Sequence, residues 1–252
     1  MKKNISIFSL LILSVFLVFF SSCATDDDQP PTNPTDETPI VFNPALSYGT
    51  MTDLDGNIYK TITIGTQTWM AENLRTTKYR DGSEIPNVTD GDKWYALSTG
   101  AYCNYDNTTN PNIIASYGRL YNGHAVSDIR SIAPTGWHVP SQTEWELLIK
   151  YSGGSKVAGG KLKETGTAHW IGDYNGTTNE TGFTALPGGY RRGVLFSDIG
   201  QSGYFRAATE RNEIMFLLIS YHDSKVYSHY FSDDLHVKEE LKTGFSVRCV
   251  RD

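Results

Sequence analysis

Three histidines recur at a spacing of seven, His222, His229 and His236, and three cysteines stand at 23, 103 and 249. Imidazole and thiolate are the side chains a structural or catalytic zinc takes. The spacing argues against a shared ion, because seven is odd and successive members along one strand face opposite ways. With Asp223-Ser224 as a turn, His222 lies at a hairpin mouth and His229 pairs near Leu218, so the three do not converge. No metal and no other cofactor is expected. His138, in "TGWHVPSQTEWELL" (135–148), has no cysteine or acid at triad-like spacing and reads as a hydrogen-bonded structural histidine. "DLDGN" (53–57) opens like a calcium loop but lacks the remaining ligands and the distal glutamate, so it reads as a turn. In "GSKVAGGKL", Gly160 and Lys161 occupy the Gly-Lys places of a phosphate loop, but no strand leads in. One group has binding chemistry without catalytic chemistry. Trp170, Asp173, Tyr174, Asn175 and Asn179 would set a stacking face beside amide and carboxylate groups, which suits a sugar. The competing reading places Trp170 in the core beneath a loop.

These groups need a scaffold to position them. Asp55-Gly56 between short apolar runs predicts a hairpin. Ile58, Ile62 and Ile64 alternate with Tyr59, Thr61 and Thr63, the period of a half-buried strand, and Gly65-Thr66 turns the chain into Trp69 and Met70. A small β-meander is expected. Residues 85–116 read as long loops, and Leu120, His124 and Ala125 as a short helix. Ser141 and Glu144 form a capping box that starts a helix, with Trp145, Leu148 and Ile149 as its inward stripe and Gly153 as its left-handed cap. Trp137 and Val139 share one side of the preceding strand, which predicts one packing hub containing both tryptophans. At roughly 200 Å² each, they would dominate the local core. From 153 to about 190 the chain reads as irregular. The last third reads as strands, with "EIMFLLISY" and "KVYSHYFS" as a hairpin. In the closing "GFSVRCVRD", Phe245, Val247 and Cys249 lie on one face and Ser246 and Arg248 on the other.

The ends speak of export. Lys2 and Lys3 precede the 16-residue apolar run "ISIFSLLILSVFLVFF", which closes on "SSC". The run is short of the roughly 20 residues a transmembrane helix needs. A basic start, an apolar middle and small residues before a cut site describe a signal peptide over 1–22. The ending resembles a bacterial lipobox, with Cys23 as the acylated first residue of the mature chain and the membrane as its partner through that anchor. "ATDDDQPPTNPTDETP" follows, too acidic and proline-rich to bury a core, and 23–47 is expected to be a tether. Acids directly after the cysteine resemble surface-export signals of outer-membrane lipoproteins. Removal of Lys2 and Lys3 takes the formal charge from −6 to −8, which argues against nucleic acid as a partner. Residues 48–252 are expected to form one domain.

Five segments in order, "DGNIYKTITIGTQTWMAENLRTTKYRDGSEIPNV", "PTGWHVPSQTEWELL", "GGKLKETGTAHW", "GFTALPGGYR" and "GFSVRCVRD", resemble the Fibrobacter succinogenes major paralogous domain. That family is similar to the C-type-lectin-like superfamily and, more distantly, to formylglycine-generating enzymes. The resemblance implies an α+β fold: two short helices, a twisted antiparallel sheet joining both termini, and long loop excursions. The sequence departs from the family at three places. Ala133 stands where many members have a cysteine, Phe205 to Glu210 replace an aromatic-rich stretch, and Gly123-His124 replace an aromatic pair.

The expected function is a surface-tethered lipoprotein with a non-enzymatic binding or adhesion domain whose partner is carbohydrate or another envelope protein. The alternatives are an oxidase like the formylglycine-generating enzymes, which would need a reactive pair from Cys103 and Cys249, and a structural role in envelope assembly.

Overall fold

The computed structural model describes residues 38–172, 176–209 and 213–252, all within one unit of the chain, Asn33–Asp252. Asp53 builds the first turn. Its Oδ1 accepts the backbone N–H groups of Asp55 and Asn57, both at 2.9 Å, and its Oδ2 accepts the Tyr59 hydroxyl at 2.6 Å. The carboxylate of "DLDGN" thus serves the turn. The expected meander forms: β1 (Gly49–Thr52) pairs antiparallel with β2 (Ile58–Ile64), and β2 with β3 (Gln67–Met70).

The chain continues through α1 (Gly91–Tyr95), β4 (Tyr102–Cys103), α2 (Pro111–Tyr117), β5 (Leu120–Tyr121), α3 (Gly123–Val126), β6 (Trp137–His138), α4 (Gln142–Tyr151) and α5 (Ala158–Leu162). A second group follows: β7 (Gly188–Arg192), β8 (Leu195–Ile199), β9 (Ser202–Arg206), β10 (Ile214–Ser220), β11 (Val226–Phe231), α6 (Asp234–Lys242) and β12 (Val250–Arg251). The strands make two five-stranded sheets, ordered β1-β2-β3-β12-β6 and β11-β10-β9-β7-β8, with β4-β5 as a separate pair. The closing strand β12 lies between β3 and β6, so the first and last strands share a sheet.

The fold is mixed α and β, mostly sheet, as expected, but the described residues carry six α-helices rather than two. Three of the extra helices begin on a side-chain cap that accepts a backbone N–H: Asp90 for α1, Asn110 for α2 and Asp233 for α6. They correct the reading of 85–116 as loops and of the whole C-terminal third as strands. α5 likewise interrupts the stretch expected to be irregular.

The first sheet is covered on both faces. Ile62, Ile64, Trp69 and Val250 enter one core cluster, while Tyr59, Met70, Val247 and Cys249 enter another on the opposite side. That is why β2 buries Tyr59 and Thr61 along with Ile62 and Ile64, against the half-buried strand expected, while Ile58 at its start stays exposed. It also divides the expected tryptophan hub. Trp145 joins the first cluster and Trp137 the second.

Trp145 lies 4.7 Å from Trp69 between ring centroids, 5.9 Å from Phe183 and 6.1 Å from Phe205. The capping box of Ser141 and Glu144 starts α4 as expected, and Gly153 ends it at φ 98°. Arg248, on the face opposite Val247 and Cys249, is fully buried against this group, its guanidinium 4.3 Å from the Phe183 ring centroid. It donates to Asn73 Oδ1 at 2.9 Å and to the Thr184 carbonyl at 2.7 Å. Burial pulls its pKa down to about 9, with Glu72 opposing, so it stays charged at neutral pH.

The tether does not remain free as far as residue 47. The Val41 N–H donates to Glu164 Oε1 at 2.6 Å, and the Thr38 carbonyl lies 3.0 Å from His169 Nε2. Glu164 and His169 are both buried and bonded to each other at 2.7 Å. Phe42, Leu46 and Tyr48 pack on the first core cluster. The segment from Thr38 is a strap bound to the domain.

Candidate functional site

The second sheet has one face in the first core cluster, and α6 with the segment after it partly covers the other. On β10, Met215, Leu217 and Ile219 point into the first core cluster, so Phe216 between them points out. Its cross-strand partners are Arg206 on β9 and His229 on β11. Tyr204 on β9 and Tyr190 on β7 extend the same outward face, and Phe245 closes it from the segment after α6. The rings form a continuous aromatic floor. Tyr204 and Phe245 stack at 5.4 Å with planes 7° apart, Tyr190 meets Tyr204 edge-on at 5.0 Å, and Phe216 lies 4.6 Å from Phe245.

α6 makes the wall above this floor. It is held at its C-terminal end, where carbonyls lack helical partners. Arg206 Nη2 donates to the carbonyls of Glu240 and Thr243 at 2.8 and 2.9 Å, and Trp94 Nε1 to that of Lys242 at 2.7 Å. α3 packs on α6 through Gly123, where a Cβ would stand 2.8 Å from the Leu241 side chain and 2.9 Å from its Cα. The glycine that departs from the family's aromatic pair therefore permits close approach of the two helices. Burial lowers the pKa of Arg206 to about 10 against the pull of Glu240, leaving it cationic at neutral pH.

Between floor and wall lies a cavity of about 180 Å³, bordered by Arg192, Glu240 and Thr243 as well as the four rings. Arg192 and Glu240 form an ion pair there. Glu240 Oε2 has no hydrogen-bond partner among the described residues. At the far end of the floor the Tyr204 hydroxyl donates to Asp198 Oδ2 at 2.5 Å. Burial and that carboxylate both raise the phenol pKa far above its ordinary value, so Tyr204 stays neutral. A larger hollow of about 280 Å³ lies between the strap and α2, but its one acid, Glu72, already accepts the Lys60 N–H and pairs with Arg75 at 3.2 Å. The aromatic cleft is the better equipped of the two.

Two members of the expected sugar-binding group are buried. Trp170 is only 3% exposed and its Nε1–H donates to the Ala185 carbonyl at 3.1 Å, so its ring is core beneath the loop. Asn179 is fully buried, with its side chain bonded to Thr184 Oγ1 and the Thr184 N–H, both at 3.0 Å. Neither can offer a face to a ligand in solution. Asp173, Tyr174 and Asn175 lie outside the described residues, as does Cys23.

The histidines separate. His222 is in the β10–β11 turn, His229 stacks on Phe216 at 4.8 Å, and His236 sits in α6 bonded to Asp233 at 2.8 Å. The turn runs longer than Asp223-Ser224, which moves the partner of His229 from Leu218 to Phe216. No grouping of His, Cys, Asp and Glu suited to a metal occurs among the described residues. His138 does have acids beside it, contrary to expectation: Asp252 Oδ1 is 2.6 Å from Nδ1 and Glu144 Oε1 is 2.7 Å from Nε2. Cys103 and Cys249 are both buried and free, in separate clusters. Burial pushes the Cys103 thiol up to about 11 and the Cys249 thiol higher still. Thiols so protonated are poor metal ligands and poor nucleophiles at neutral pH.

The family model for the Fibrobacter succinogenes major domain matches residues 62–251, more than half of the chain. The chain belongs to this family. No curated protein and no solved structure matches it. The match of the Fibrobacter succinogenes major domain starts within β2 and ends in β12, so the second sheet and the aromatic cleft fall inside it, whereas the strap, β1 and the start of β2 precede it. Sequence reasoning missed the cleft residues although their signal was present. Tyr204 and Arg206, Phe216 and Leu218, and His229 and Phe231 each stand two apart, on the faces opposite the core positions of their strands.

Proposed function

We propose that the chain is a surface-tethered bacterial lipoprotein, anchored in the outer membrane by an acylated Cys23, whose domain is a non-enzymatic binding module for carbohydrate. The observation that carries the binding reading is the aromatic floor, in which half-exposed Tyr190 and Tyr204 are backed by the buried rings of Phe216 and Phe245, beneath a wall that presents Arg192 and Glu240. Aromatic rings edged by a few fixed polar groups are the usual equipment of a small-molecule site. The finer fold assignment, C-type-lectin-like, is supported by the placement of β12 between β3 and β6 and by the long stretch of chain between β3 and β7. The address rests on the basic start, the apolar run and the "SSC" ending, followed by an acidic tether. Among the described residues no helix is long and apolar enough to cross a membrane.

A glycan array probed with residues 38–252, which keep the strap, tests the binding reading. Binding to a defined set of glycans supports it. Absence of binding to every glycan, with and without calcium, removes it and turns attention to envelope proteins as partners. The address is tested by Cys23→Ser, which should release the folded protein from membranes. A serine variant that still sediments with membranes after a high-salt wash contradicts the lipid anchor.

A further inference from the structure

Glu240 is the residue lining the cavity whose bonding is incomplete; behind it, Arg206 also keeps Nε and Nη1 without a hydrogen-bond partner among the described residues. Glu240 is 6% exposed, it borders the cavity, and its Oε1 is taken by the Arg192 guanidinium. Oε2 has no hydrogen-bond partner among the described residues. A buried carboxylate oxygen left unbonded is costly, so such a group in a native fold calls for a donor. A ligand in the cavity that Glu240 borders can supply it.

The charges around the cavity decide what kind of donor it is. Two guanidiniums flank Glu240: Arg192 at the rim and the fully buried Arg206 behind Phe245, 4.6 Å from that ring centroid. Asp198 stands at the opposite end, held by the Tyr204 and Ser197 hydroxyls at 2.5 Å each. Lys242 at the helix end is paired with Glu239 at 3.1 Å. The cavity lining itself carries one cation and one anion, Arg192 and Glu240, and they pair with each other, so no unit charge of the lining is left over for an ionised ligand. A ligand ammonium would face Arg192 and Arg206 as it approached Glu240. A ligand carboxylate would face Glu240 itself. Hydroxyl groups suffer neither repulsion, and they can donate to Oε2 while accepting from Arg192.

Size narrows the ligand further. A cavity of about 180 Å³ is below the roughly 300–1,000 Å³ of pockets that enclose drug-sized molecules. It admits one ring.

We infer that the cleft selects a single uncharged pyranose unit of a neutral glycan. The sugar's C–H face lies on the aromatic floor, and one of its hydroxyls donates to Glu240 Oε2, which Arg192 holds in position. This inference rests on the carbohydrate reading above and specifies its ligand class and deciding residue.

Calorimetric titration of residues 38–252 with methyl glycosides of neutral hexoses, of hexuronic acids and of glucosamine is the test. A neutral glycoside should bind with an affinity that does not change with salt, and the uronates and glucosamine should bind at least about tenfold more weakly. Glu240→Gln should weaken neutral-sugar binding by about tenfold. Arg192→Met, which leaves the carboxylate in place but unheld, should weaken it as well and covers the case in which the glutamine variant does not fold. Equal or tighter binding of a uronate or of glucosamine overturns the inference and leaves the carbohydrate reading standing, as does neutral-sugar binding untouched by both variants. Failure of every glycoside and every glycan to bind overturns both.

Discussion

Tyr204 and Phe245 stack across the second sheet with ring planes 7° apart and centroids 5.4 Å apart, although one lies on β9 and the other beyond α6. The pair joins the segment after α6 to β9 within the floor of the cleft. Tyr204 keeps part of its ring accessible, whereas Phe245 is 3% exposed. Ligand contact therefore falls on Tyr204 and fold support on Phe245. Tyr204→Ala is expected to lower ligand affinity at least about tenfold with little change in melting temperature, while Phe245→Ala lowers both. Parallel calorimetry and thermal unfolding of the two variants check this, and equal effects on stability would contradict it.

Trp145 is the centre of the first core cluster, in ring contact with Trp69, Phe183 and Phe205. Trp145→Ala opens a cavity among three aromatic neighbours and should cost about 3–5 kcal/mol in urea unfolding. Trp137→Ala should leave that cluster's near-ultraviolet signature intact, because Trp137 packs on the other side of the sheet.

Much of the scaffold could be read from local residue patterns. The Asp55-Gly56 turn, the capping box of Ser141 and Glu144, and the β10–β11 hairpin are set by neighbouring residues, and all three form. What escaped depends on distant parts of the chain. Trp145 and Trp137 stand close in sequence, but a sheet assembled from β1–β3 and β12 passes between their clusters. Arg248 alternates with Val247 and Cys249, yet Asn73 and the 183–184 carbonyls meet it from remote segments. Trp170 and Asn179 have the composition of a sugar site, and composition carries no record of burial. The cleft was the hardest to see, since Tyr190, Tyr204, Phe216 and Phe245 come from four separate elements.

His138 links three parts of the first sheet and its neighbour, touching Asp252 and Glu144 from β6. Burial opposes its charge, but the hydrogen bonds it donates to Asp252 and Glu144 outweigh it and raise the pKa above its ordinary 6.5. A raised histidine pKa means that the folded state holds the proton more tightly. The stabilisation is therefore complete below about 6.5 and is lost as pH climbs through the folded value. Asp252→Asn should lower the melting temperature at pH 5.5–6.5 and converge with the unsubstituted protein in alkaline solution. A difference that widens with rising pH would contradict the assignment.

The strap predicts a boundary for the stable domain. Truncation before residue 48 removes the backbone partners of Glu164 and His169 and uncovers the surface under Phe42 and Leu46. A chain beginning at residue 48 should melt several degrees below one beginning at 38. Coincident melting curves would show that the strap adds no stability.

The aromatic cleft as the ligand surface is the central claim, and it is tested most directly by nuclear magnetic resonance. Residues 38–252, with aromatic side chains labelled, would be titrated with a glycan that the array identifies. The account predicts shift changes concentrated on Tyr190, Tyr204 and Phe216, with the Trp170 indole N–H unmoved. Changes centred on Trp170 and its loop, with the cleft rings silent, would contradict it.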